Sequence, residues 1–378
     1  MTEDKFTKAE DKFGMTKKNH IFDKTAIALT LVACILAGCG KNEILGGGES
    51  DIPMAFSAYN AATKADASYV GPGTTTLPAN SSFGVFAFYQ EGDVYNEIPA
   101  EWNSSRNPDF MFNQQVTFDG TNYNYTPLRF WPSNIENTIS FWAYYPYGAY
   151  VTGNTGDLKF YKTDGTNPYA ADATDLPVAN YTVSKDTLSQ QDIMFAALQE
   201  NKTYYNTTDG IVPLTFRHAL ALVDFVLAEG TNAEITSFNV SNLYWTGTCQ
   251  HPEASPIVWT GLTDAGSFSL ASLTLSGSST IARLIMMPQT IDADATLSIT
   301  YDIHFASYDP YHPEDIVYAG NSGSVKLNTA KDALDNYITE WKPGYHYVYN
   351  ISAGFERIEF ESAVATGWTD GNDNITVN

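Results

Sequence analysis

Cysteine is scarce, with three in 378 residues. Two of them, Cys34 and Cys39, fall near the start, so Cys249 stands alone in the rest of the chain. No intramolecular disulfide framework can be built from it, and it reads as a small apolar filler. Basic charge is scarce too: 20 Lys and Arg face 43 Asp and Glu, giving a net charge of −23. Such a chain repels phosphate, which argues against a nucleic-acid partner. Long amphipathic helical patterns are missing, as are G-x-S-x-G, P-loop and H-E-x-x-H motifs. Among the many acids, no spacing selects a carboxylate pair for glycoside hydrolysis. No catalytic residue and no cofactor is therefore assigned.

Hydrophobic and aromatic residues are plentiful, at 43% and 14%, including 24 Tyr and 21 Phe. That excludes a disordered chain, and the length suffices for one large or two ordinary domains. With 27 Gly and 17 Pro, the composition favours strands with many turns.

The only long apolar run is Ala26 to Gly38, 13 residues. At 1.5 Å per residue it is too short for a bilayer core of ~30 Å. Lys17, Lys18 and Lys24 precede it, so residues 1–38 read as a signal peptide, with Met15 as an alternative start. Leu36-Ala37-Gly38-Cys39 is similar to a bacterial lipobox, in which Cys39 receives lipid and becomes the first residue after cleavage. Residues 39–50, with Gly46-Gly47-Gly48, read as a flexible tether from that lipid.

Strand-like segments then follow one another. Met54-Ala55-Phe56-Ser57-Ala58 alternates, and Phe83 to Tyr89 is a buried strand candidate. Asp119-Gly120 is a hairpin signal between Phe110–Val116 and Tyr123–Tyr125. Ile139 to Tyr145 and Tyr345 to Ile351 alternate as well, and one short helix is expected around Lys331 to Leu334. Short strands at regular spacing indicate β-sandwiches in tandem, 51–205 and 206–378, divided at the polar stretch Asn201 to Gly210.

These landmarks together resemble the fimbrillin family, the subunits and accessory proteins of Bacteroidia-type (type V) pili. The features that carry the resemblance are L-A-G-C, the early strand followed by A-T-K-A, and F-G-V-F-A-F-Y. Further along come Y-T-P-L-R-F-W-P, I-S-F-W-A-Y-Y-P-Y, V-P-L-T-F-R-H-A-L-A-L-V-D-F and W-K-P-G-Y-H-Y-V-Y-N-I. The resemblance implies an all-β protein of two transthyretin-like β-sandwich domains behind a lipoprotein signal peptide. It implies no enzyme activity, an outer-membrane lipid anchor and a place on the cell surface or in a fimbrium. Its partners would be other pilus subunits, a trypsin-like processing protease and a receptor on a host or bacterial surface. Cleavage at Lys64-Ala65 would release the strand Met54 to Ala58, leaving a groove for a donor strand from the next subunit. Lysine at that bond departs from a strictly arginine-specific protease. The polar tail Thr369 to Asn378, with only Ile375 and Val377 as larger apolar residues, favours a tip or accessory subunit over a stalk subunit.

Several residues have plainer readings. His218 lies among apolar neighbours and reads as a packed strand histidine. Cys249, His251 and Glu253 lack the fourth ligand and the spacing that zinc needs. Asp370, Asn372 and Asn374 lack the glycine and the closing glutamate of a calcium loop. Asp292 and Asp294 read as an acidic loop, so no metal site is assigned. Asp186-Thr187-Leu188 resembles the motif on which these bacteria place O-glycans, which makes Thr187 a candidate for modification. Trp131, Trp142, Trp245, Trp259, Trp341 and Trp368 could include a sugar-stacking platform. That supports a second reading, a surface carbohydrate-binding lipoprotein of a glycan-uptake system.

Overall fold

The structure is a computed structural model that describes residues 49–60, 75–229, 231–276, 279–305, 316–355 and 357–368. It is all-β apart from short 3-10 turns, with three larger sheets and two small two-stranded ones among the described residues. The first large sheet runs in the order Thr75–Thr76, Ala55–Asn60, Ile211–His218, Met194–Ala196, Thr138–Tyr145, Ser82–Gln90, Met111–Phe118, Tyr123–Asn124. Gln199–Lys202 also pairs with Thr138–Tyr145.

Strand alternation puts successive side chains on opposite faces of this sheet. Phe83, Val85 and Ala87, with Ile139, Phe141 and Ala143, enter one core. Phe86 and Phe88, with Trp142 and Tyr144, enter the other. Burial on both faces explains the nearly unbroken apolar run F-G-V-F-A-F-Y, which a one-sided strand would interrupt with polar residues. Gly84 fits here because a Cβ at that position would overlap the Tyr144 ring. The hairpin at Asp119-Gly120 forms, its Asp119 carboxylate accepting from the Thr121 and Asn122 amides at 2.8 and 2.7 Å.

The other two large sheets face one another. One is Thr280–Met286, Ala221–Leu227, Tyr345–Ala353 and Ile358–Gly367. The opposing one is Ile316–Lys326, Thr296–Phe305, Ala233–Cys249, Val178–Thr182 and Leu158–Tyr161, with Thr260–Leu275 also paired to Ala233–Cys249. Phe225 meets Phe238 across the layers at 5.1 Å between ring centroids.

Strand pairing crosses the 205/206 division drawn from the sequence in both directions. Ile211–His218 belongs to the first sheet, between Ala55–Asn60 and Met194–Ala196. Leu158–Tyr161 and Val178–Thr182 extend a sheet of the second half through Ala233–Cys249. The polar stretch at Asn201–Gly210 holds the end of the strand Gln199–Lys202 and a 3-10 turn at Tyr204–Asn206, and Ile211–His218 follows directly. The short helix expected near Lys331 to Leu334 is instead a turn. Lys331 bridges to Tyr337, and Asp332 accepts from the Leu334 and Asn336 amides at 2.9 Å each. Local side-chain acceptors of this kind compete with helical bonding.

Candidate functional site

The strand Ala55–Asn60 runs parallel to Ile211–His218, in register from Ala55 opposite Ile211 to Asn60 opposite Phe216. Among the described residues its other edge pairs only at the far end, where Tyr59 and Asn60 meet Thr76 and Thr75. Tyrosine hydroxyls take over along the remainder. Tyr123 donates to the Ala58 carbonyl at 2.8 Å, and Tyr125 to the Met54 carbonyl at 3.1 Å. The Met54 amide donates to the Arg129 carbonyl at 2.9 Å.

The inward side chains are Met54, Phe56 and Ala58, exposed by 2, 4 and 0%. Phe56 is ringed by Tyr125, Phe141 and Phe83 at 5.4, 5.8 and 6.5 Å, all edge-to-face. Trp131 lies in the same core and donates its indole N–H to the Gly210 carbonyl at 3.1 Å. Full burial of Met54 and Phe56 stabilises by about 1.5–3 kcal/mol each. The strand thus plugs an aromatic core, held by a full backbone ladder on one edge and mainly by side chains on the other. Burial raises the Tyr123 and Tyr125 hydroxyls above the ordinary tyrosine pKa of 10.0, more than their backbone contacts lower them.

Of the other residues singled out from sequence, Cys39, Lys64, Ala65, Asp370, Asn372 and Asn374 lie outside the described residues. Thr187 opens a 3-10 turn over Thr187–Ser189, capped by Asp186, whose side chain accepts from the Leu188 amide at 3.2 Å. The turn sits at the surface, with Leu188 76% exposed. His218 is buried, stacked on Trp368 at 4.1 Å and hydrogen-bonded to Asp192 at 2.8 Å. Cys249 is buried in the larger core, and desolvation pushes its thiol up to about 12. Among the described residues no group of three His, Cys, Asp or Glu is placed to hold a metal.

The six tryptophans considered as a sugar platform are all buried in the cores and present no exposed face. Sequence reasoning passed over two features. One is the tyrosine clamp from Tyr123 and Tyr125, which no local pattern announces because it joins segments more than sixty residues apart. The other is a buried charge cluster, in which Arg283 grips Asp224 through two bonds at 2.8 and 2.7 Å. His346 joins it at 3.0 Å. Burial pushes the Asp224 carboxyl up, but Arg283 and His346 outweigh it and hold the group below its ordinary range. A lone aspartate within an apolar strand was the available signal.

A profile of the fimbrillin-like family matches residues 63–368. The chain belongs to that family. The match starts just after Ala55–Asn60, so the plugging strand lies before the matched stretch. This fimbrillin-like chain is 28% identical over 202 residues to the fimbrium subunit Fim1C of Phocaeicola vulgatus. That alignment covers 52% of this chain and 49% of the relative, so the chain spans about half the length of the curated protein it matches. A solved fimbrial protein from Bacteroides vulgatus superposes with a TM-score of 0.55 at 16% identity, over 84% of this chain and 99% of the other. A cell-adhesion candidate from Bacteroides uniformis gives 0.51 at 18% identity, over 84% of this chain and 100% of the other. Both show the same β-sandwich fold.

Proposed function

We propose that this fimbrillin-like protein is a non-enzymatic pilus subunit of the cell surface, assembled by protease-triggered donor-strand exchange. Lipid on Cys39 would anchor it in the outer membrane, and a trypsin-like protease would cut at Lys64-Ala65. The strand Met54 to Ala58 would then leave its place beside Ile211–His218. One observation carries this reading: a short strand near the cut plugs an aromatic core while, among the described residues, only one of its edges is fully laddered to the sheet. Its loss would leave an apolar groove and a row of unpaired backbone groups, a combination that favours capture of an extended segment. The next subunit of the pilus is the natural donor.

A tip or accessory place fits better than a stalk place. Every described strand is already paired within the chain, including Ile358–Gly367, which leads to the buried Trp368. The test is limited trypsin digestion with N-terminal sequencing and unboiled gel electrophoresis. Cleavage after Lys64 with the remainder resistant and no ladder is the expected result. A concentration-dependent ladder after the cut would move the protein to the stalk. A stable monomer with Lys64 protected would remove protease-triggered exchange at that bond.

A further inference from the structure

At one end of the second sandwich lies a cavity of about 230 Å³. Thr296–Phe305 and Tyr345–Ala353 end there, and the turn between Ala221–Leu227 and Ala233–Cys249 closes it. Phe305, Phe355, Glu229 and Glu361 are among its walls, and no lysine or arginine is. The two phenyl rings stack, with 5.3 Å between centroids and 5° between planes. Tyr318, from Ile316–Lys326, meets both edge-on at 6.0 and 5.2 Å. Such mutual packing fixes the rings in advance, although Phe355 and Tyr318 are 55 and 51% exposed. Glu229 and Glu361 are exposed too, and among the described residues no cation pairs with either. Arg357, near Glu361 in the chain, pairs with Glu359 at 3.0 Å instead.

Exposed carboxylates alone select little, because water and salt screen them. An aromatic wall beside them adds a preference, since aromatic rings attract organic cations. An anion would be repelled by Glu229 and Glu361, and a neutral apolar ligand would gain nothing from them. A calcium ion takes roughly six to eight oxygen ligands. Among the described residues no group of three His, Cys, Asp or Glu is placed to supply them. An alkylammonium group answers both parts of the wall, its charge toward the carboxylates and its carbons against the rings. The volume lies below the ~300–1,000 Å³ of sites for whole small molecules, as suits one head group. We propose that this cavity binds an alkylammonium group, with Glu229 and Glu361 holding its charge and Phe305 and Phe355 packing against it. None of these residues lies on Ala55–Asn60 or on the strands paired with it, so the site is independent of strand exchange.

Two sources carry that group, a small quaternary amine and a lysine side chain of another protein. The test titrates the whole chain with choline chloride and with Nα-acetyl-lysine methylamide at constant ionic strength, followed by calorimetry and ligand-observed NMR. Neohexanol, which has carbon in place of the choline nitrogen, is the uncharged control. Saturable binding of at least one ammonium probe is expected, about tenfold tighter than that of the alcohol. Glu229→Gln should weaken it about fivefold, and so should Phe355→Leu, which keeps apolar area and removes the ring. Both changes are at exposed side chains, and thermal melting confirms that both variants fold. A preference for choline supports a quaternary amine as the source, and a preference for the lysine derivative supports a protein side chain. Equal binding of the alcohol would overturn the proposal. So would no saturable binding of either ammonium probe, or binding that either variant leaves unchanged.

Discussion

The two cores of this molecule use the same aromatic alternation but are closed in opposite ways. In the second, Ala221–Leu227 lies between Thr280–Met286 and Tyr345–Ala353, laddered on both edges along nearly its whole length. Asp224 adds a buried cross-strand clamp through Arg283 and His346. In the first, the closing strand Ala55–Asn60 is fully laddered on one edge and relies on Tyr123 and Tyr125 along most of the other. Both strands bury large side chains, so hydrophobic burial does not separate them. What separates them is how many backbone bonds must break together for the strand to leave.

Substitutions in the two regions should therefore produce different kinds of loss. The largest effect is expected for Asp224→Ala, which strips the carboxylate from Arg283 and His346. Breaking a buried pair in this way costs about 3–5 kcal/mol, read as a lower urea midpoint for the whole chain. Phe56→Ala should cost about 3 kcal/mol. Its loss should appear locally, as faster amide exchange along Ala55–Asn60 and the facing edge of Ile211–His218, ahead of global unfolding. Equal and purely global losses in the two variants would erase the comparison.

The tyrosine clamp supplies a pH test. The Tyr123 and Tyr125 pKa values are raised in the folded protein, so their contribution is fully present below the unfolded value of 10.0. It is lost as pH rises through the higher folded values. Amide exchange in Ala55–Asn60, corrected for the intrinsic rate, should accelerate above pH 10.0. Tyr125→Phe should weaken the strand's hold by about 1 kcal/mol and flatten that alkaline response. The smallest effect is reserved for Thr187→Ala at its surface turn, within about 0.5 kcal/mol. Mass spectrometry of the protein from its native host would show whether a glycan on the Thr187 peptide disappears with it.

Sequence revealed most of the strands, because alternation such as Tyr345 to Ile351 reports a local geometry. It also picked out Met54 to Ala58, whose period-2 pattern survives in a short segment. Sheet membership was much less legible. Ile211–His218 follows a polar connection yet pairs backward across more than 150 residues of chain with Ala55–Asn60, and only tertiary contact decides that. Leu158–Tyr161 lies in a polar region and joins the opposite half for the same reason. The buried tryptophans misled as a sugar platform because an aromatic face looks alike in a core and on a surface. The Phe305 and Phe355 cavity stayed hidden because its walls come from segments that share no local motif.

The most direct test is amide exchange along Ile211–His218 after cleavage at Lys64, with and without a synthetic peptide of residues 51–60. The amides that ladder to Ala55–Asn60 should lose protection when the strand is released and regain it when the peptide is added. Protection that persists after the cut strand has been separated, or that the peptide fails to restore, would contradict the claim that this strand is an exchangeable plug.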